Sequence, residues 1–212
     1  MNRHFITLSV LTLGISIACA APGGNPAETK DRPSTTKSRH QLATLGGGCF
    51  WCMEGAFEGL EGVSKVISGF TGGVEKSPSY TEVAQGTTGH TEAVQITFNP
   101  GVISYERLLD IYWKNIDPTD SGGQFADRGP QYRPGIFYHN EAQKHAAEVS
   151  KSRLDESKRF QQSVAVEITA YTSFHPANND HQDYYSKNPE HYKAYKKGSG
   201  RTGFLERVWG GK

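Results

Sequence analysis

The sequence predicts an α+β domain, a two-layer α/β sandwich with a mainly antiparallel mixed sheet and long loops. Three observations carry that reading. Residues 91–98 alternate strictly, with Glu92, Val94, Ile96 and Phe98 on one face and Thr91, Ala93, Gln95 and Thr97 on the other. Tyr105, Leu108, Leu109, Tyr112, Trp113 and Ile116 recur at helical spacing. Strand and helix patterns mix along the chain without strict βαβ alternation.

The elements follow in order. Residues 41–45 form a strand that runs into the glycines 46–48, and a helix-compatible run follows over residues 50–60. After the alternating strand, Ser104 is the N-cap of the helix carrying the apolar stripe, and Pro118 comes just past its end. Residues 133–138 read as a short strand. Asn140 with Gln143 resembles a capping box opening a polar helix to about Lys158. Val164, Val166, Ile168 and Ala170 share a face of another strand, and residues 180–186 and 189–196 read as short Tyr-rich helices.

The 212 residues suffice for one good-sized core or two small ones. A net charge of +1 gives no electrostatic case for nucleic acid or a membrane surface, so neither is expected as a partner. Three cysteines do not make a disulfide-stapled scaffold. The first twenty residues differ from the rest: a short basic start, a charge-free apolar run from Phe5 to Ile17, and Ala18-Cys19-Ala20, which fits a signal-peptidase site. The run is too short for a stable membrane span. The expectation is therefore a signal peptide over 1–20, a Pro/Gly-rich flexible linker over 21–39 and a single domain over 40–212. The protein is expected to be exported to the periplasm or cell envelope. The soluble form is favoured; a lipoprotein acylated at Cys19 is the alternative, although Ser16 stands where such sites usually have Leu.

The chemistry centres on Gly46-Gly47-Gly48-Cys49-Phe50-Trp51-Cys52-Met53-Glu54. Glycines let another molecule approach the backbone, and a following helix places Cys49 at its N-terminus. Free N–H groups and the helix dipole are expected there to lower the thiol pKa and make Cys49 a nucleophile. The blander alternative is a small buried hydrophobe. Cys49 and Cys52 also form a C-x-x-C, which raises a thioredoxin-like reading; Gly48 stands where that family has Trp, and no βαβ pattern surrounds the motif.

Glu92 shares a face with core residues. It sits either at a wet strand end or in an apolar pocket, where burial would raise its pKa and let it donate a proton near neutrality. Tyr80, Asp127 and Tyr132 lie in Gly/Pro-rich segments, as binding-site residues often do and as amphipathic filler also does. Residues 174–185 offer His and Asp, but the spacing fits a loop and helix cap better than a metal site, so no metal is expected.

Taken together, the chain resembles the A-type peptide-methionine sulfoxide reductases over about residues 42–197. The matching segments are Gly48 to Trp51 with Glu54, Ser79-Tyr80, Gly89 to Glu92, Ile103 to Tyr105 through Asp117 to Thr119, Asp127 to Arg133, and Phe174-His175 through His181 to Tyr184. The resemblance implies that Cys49 attacks the sulfur of the S sulfoxide epimer, in free methionine sulfoxide or oxidised proteins. It implies that Phe50 and Trp51 hold the S-methyl group and that Glu92 protonates the oxygen. Tyr80 and Tyr132 would hydrogen-bond that oxygen, and Asp127 would help organise the site. It implies no bound cofactor and an external thiol reductant (thioredoxin-like or a small dithiol); separately, a monomer is expected. Many members carry recycling cysteines near the C-terminus; residues 197–212 hold none here. Cys52 is then the candidate to resolve a sulfenic acid on Cys49, the alternative being direct reduction by an external thiol. A thiol–disulfide oxidoreductase and an exported methyl-binding module are the rival functions.

Overall fold

The structure is a computed structural model, and it describes residues 40–210. The signal segment with Cys19 and the linker over 21–39 lie outside the described residues.

Eight strands are described: β1 (Gln41–Gly46), β2 (Val63–Thr71), β3 (Thr91–Phe98), β4 (Gly123–Gln124), β5 (Asp127–Arg128), β6 (Gly135–Tyr138), β7 (Glu167–Ala170) and β8 (Phe174–Pro176). Six of them form one sheet in the order β7-β6-β1-β3-β2-β8. Every pairing in it is antiparallel except β6 with β7. The small pair β4–β5 stands apart. The helices are α1 (Phe50–Phe57), α2 (Tyr80–Ala84), α3 (Tyr105–Trp113), α4 (Glu141–Glu156), α5 (Tyr184–Lys187), α6 (Pro189–Gly198) and α7 (Arg201–Trp209). Among the described residues no helix is long and apolar enough to cross a membrane.

The mixed, mainly antiparallel α+β class is as the sequence predicts. The core face of β3 is buried as its alternation requires: Val94, Ile96 and Phe98 pack with Leu45, Met53, Phe57, Leu108 and Leu109. Each such side chain contributes about 1.5–3 kcal/mol on burial. Ser104 caps α3 by accepting from the Arg107 N–H.

Several boundaries differ, for local reasons. α1 stops at Phe57 rather than reaching residue 60, because Glu58 is extended and Gly59 turns left-handed at φ +74°. Asn140 caps α4 through Gln143 N–H, but Gln143 Oε1 accepts from His139 N–H, not from Asn140 as a full capping box requires. Val164 and Val166 are buried ahead of β7 rather than within it. The expected helix over 180–186 is a 3-10 turn (Asn179–His181) followed by the single turn of α5. The sequence reading leaves β2 unassigned, since a bulge between Val63 and Lys65 shifts the phase of its side chains.

Two buried donors fix the loop between β1 and α1. Tyr112 Oη donates to Gly46 O at 2.8 Å. Arg201, 1% exposed on α7, donates through its guanidinium to Gly47 O at 2.8 Å and also to Asn115 O. Glycine is required at two positions here. A Cβ on Gly47 would lie 2.5 Å from Met53 Sδ, and Gly48, at φ +77°, would place one 2.5 Å from Gln124 Cβ.

Arg201→Leu leaves two buried carbonyls without their charged donor. The expected loss is about 3 kcal/mol, read as a lower urea midpoint at unchanged slope. A change below about 0.5 kcal/mol, the range of neutral surface substitutions, would show that Arg201 does not hold the loop.

Candidate active site

β1 and β3 are antiparallel, with Leu45 opposite Val94. The chain leaves β1 for Cys49 beside the point where β3 begins with Thr91 and Glu92. That register puts Glu92 under the first turn of α1, and the Phe50 N–H donates to Glu92 Oε2 at 3.0 Å. Glu92 is 3% exposed, so the apolar-pocket alternative is the one the fold takes. Burial raises its carboxyl to about pH 8 even though the Phe50 amide pulls the other way.

Thr91, the neighbour of Glu92, donates its hydroxyl to Gln131 O and Arg133 O, which pins the turn carrying Tyr132. Gln131 in turn donates to Ala84 O and ties in α2, whose first residue is Tyr80. A capping box between Ser79 and Glu82 starts that helix. Asp127 on β5 accepts from Tyr195 Oη on α6.

These connections converge on a cavity of about 130 Å³ lined by Cys49, Phe50, Trp51, Tyr80, Glu92, Asp127, Tyr132 and Tyr195. Seven of the sequence-derived candidates meet there; Cys52 lies behind the wall. A larger groove of about 770 Å³ between α3, α4 and Trp209 contains no thiol.

The walls are aromatic. Phe50 lies 6.3 Å from Trp51 and 6.4 Å from Tyr80 between ring centroids. Trp51 is stacked on Tyr184 at 3.8 Å and 8°. Residues 174–185, weighed as metal ligands from their sequence, instead complete this wall: His181 packs on Tyr80 at 4.2 Å and on Phe50 at 5.3 Å. Among the described residues no group of three or more His, Cys, Asp or Glu side chains is arranged to hold a metal.

The thiols depart from expectation. Cys49 is the N-cap residue of α1, but the first free amide, that of Phe50, is taken by Glu92. Burial, then the hydrogen bond with Cys52 and the Glu92 charge, push the Cys49 thiol well above its ordinary range rather than below it. The hydrogen bond from Cys49, helped by Arg201 and Lys196, outweighs burial at Cys52 and brings that thiol down to about 7. Of the two thiols, Cys52 is thus the more acidic and Cys49 the less. Burial first, and the Glu92 charge second, raise Tyr80 and Tyr132, so both phenols stay protonated donors.

Four residues of this site escape sequence reasoning. Tyr184, Tyr195 and His181 occur in a Tyr- and His-rich segment with no periodicity to separate wall from filler. Glu54 is fully buried, and burial lifts its carboxyl to about 7. The matching segments include it but assign it no role.

The family description "Peptide methionine sulfoxide reductase" matches residues 41–212. The peptide methionine sulfoxide reductase MsrA of Listeria monocytogenes serotype 4b is 53% identical over 176 residues, covering 83% of this chain and 99% of that protein. The MsrA of Bacillus subtilis is 53% identical over 174 residues, covering 82% and 98%. Among solved structures, reduced Mxr1 from Saccharomyces cerevisiae superposes with a TM-score of 0.67 at 31% identity, covering 72% of this chain and 87% of that one. Methionine sulfoxide reductase A of Corynebacterium diphtheriae does so at 0.62 and 27%, covering 71% and 76%. A paired thiol and protonated acid in an aromatic cavity, on a fold and sequence of this kind, make the chain a member of the A-type peptide methionine sulfoxide reductases, oxidoreductases that return methionine sulfoxide to methionine.

Proposed function

We propose that the chain reduces the S epimer of methionine sulfoxide, free or in exposed protein segments, by attack of Cys49 on sulfur with Glu92 as the proton donor. One observation carries this reading: a thiol and a carboxyl raised to about 8 line the same cavity. A sulfoxide oxygen leaves poorly until it is protonated, so a nucleophilic sulfur and a neutral acid must face one substrate.

Cys52, the more acidic thiol of the pair, supplies the base in its thiolate form. As Cys49 approaches the substrate sulfur, its proton moves along the shared hydrogen bond to Cys52. Phe50 and Trp51 hold the S-methyl group, and Tyr80 and Tyr132 donate hydrogen bonds to the oxygen while Glu92 protonates it. Asp127, which accepts from Tyr195, keeps that tyrosine against the site. Methionine leaves, with a sulfenic acid on Cys49. Cys52 then attacks that sulfur, and water departs with one proton from Glu92 and the one first held by Cys49. The product is a Cys49–Cys52 disulfide, which a thioredoxin-like dithiol reduces. We place this repair in the cell envelope, on the strength of the N-terminal segment.

The separated S and R epimers, incubated with residues 21–212 and dithiothreitol, test the reaction: methionine is expected from S alone. Turnover of R, or of neither epimer, contradicts the reading.

Glu92→Gln removes the donor and should lower the first-turnover rate about 10²- to 10⁴-fold. Because Glu92 must be protonated, the wild-type rate should fall as pH rises through about 8. Glu92→Gln should lack that limb, and its persistence would assign the limb to another group. Cys52→Ser should stall after one equivalent of methionine when a protein dithiol is the reductant. Turnover equal to wild type would end the resolving role.

A further inference from the structure

Reducing a Cys49–Cys52 disulfide requires an external thiolate to attack one of its two sulfurs. This question rests on the resolving role proposed for Cys52. The structure treats the two sulfurs differently.

Cys49 lines the cavity, whereas Cys52, 1% exposed, does not. Behind the Gly47–Gly48 backbone, the space beside Cys52 belongs to the C-terminal helices. Arg201 of α7 donates to Gly47 O, and its Nη2 would lie 2.9 Å from a Cβ on Gly48. The Tyr192 hydroxyl of α6 reaches α1 close enough to lie 2.8 Å from a Cβ on Gly55. Of the two sulfurs, only that of Cys49 borders a cavity; Cys52 is buried beneath these helices.

We infer that the reductant's thiol enters by the substrate's own cavity and attacks Cys49, so that substrate and reductant use one mouth in alternation. The step balances as follows. The reductant thiolate forms a bond to the Cys49 sulfur, the Cys49–Cys52 bond breaks, and its electron pair leaves with Cys52. The second thiolate of the reductant then attacks its own mixed disulfide and releases the Cys49 thiolate. The reductant is oxidised by two electrons, the cysteine pair is reduced by two, and one sulfur of the pair takes a proton from solvent.

The surroundings suit Cys52 to leave. Arg201 and Lys196 face it and stabilise the departing thiolate, and a thiol of lower pKa is the better leaving group. Among the described residues Cys49 and Cys52 are the only cysteines, and Cys49 is the one that borders a cavity.

The test uses the protein with its own substrate and a thioredoxin whose second active-site cysteine is replaced by serine. One equivalent of methionine sulfoxide, with no reductant, is followed by intact mass. The adduct with the single-cysteine thioredoxin is then digested, and the peptide spanning residues 40–65, which holds both cysteines, is fragmented between them. The expected result is loss of two hydrogens in the first step, then thioredoxin linked to Cys49 with Cys52 free to alkylate. Thioredoxin linked to Cys52 overturns this inference and leaves the resolving role standing. Gain of one oxygen, with Cys52 still a thiol, overturns both.

Steady-state kinetics give an independent reading that does not depend on trapping. With one mouth, methionine sulfoxide well above its KM competes with thioredoxin for the oxidised protein, and the apparent KM for thioredoxin rises in proportion to substrate. An apparent thioredoxin KM independent of high substrate overturns the shared mouth.

Discussion

The hydrogen bond from the Phe50 amide to the Glu92 carboxyl is the contact around which the site is arranged. It joins the first turn of α1 to the first residues of β3, and it exists because β1 and β3 run antiparallel in a register that ends one strand where the other begins. It also decides where the helix N-terminus spends its first free donor. An amide given to the carboxyl is not given to the thiol. Burial then raises the Cys49 thiol, while the hydrogen bond from Cys49, with Arg201 and Lys196 beside it, lowers that of Cys52.

That distribution answers a chemical difficulty. A thiolate and a protonated acid make opposite demands on neighbouring groups. Here burial first, with the charges of Asp127 and Cys52, raises the Glu92 carboxyl to about 8, while the Cys49 thiol beside it shares a hydrogen bond with Cys52.

The scaffold holds these few atoms from several directions. The glycine loop is clamped at consecutive carbonyls by Tyr112 from α3 and Arg201 from α7. Thr91 and Gln131 link β3 to the turn bearing Tyr132 and on to α2, which bears Tyr80. The C-terminal helices, without cysteines of their own, serve instead as the cover over Cys52 and the source of Tyr195.

By itself the sequence determined the fold class, several local elements and the family resemblance. The alternation over β3 required a half-buried strand, the spacing in α3 required one apolar stripe, and Ser104 required a cap; these are short-range patterns. The Gly-Cys-Phe-Trp run, with its matching segments, singled out Cys49, Glu92, Tyr80 and Tyr132, which the fold brings to one cavity. The clean period of β3 also placed Glu92 on the core face, although not whether that position was wet or dry. The tertiary structure decided what depends on distant partners. β2 hid behind a bulge, and Gln143 took its reciprocal bond from His139 rather than Asn140. Tyr195, His181 and Tyr184 became walls only when the C-terminal segment packed on α1. The direction of the thiol shifts was settled the same way. A helix N-terminus read from sequence offers its dipole to whatever sits there, but which group receives the amide, and which thiol lies against a cation, follows from packing between residues far apart in the chain.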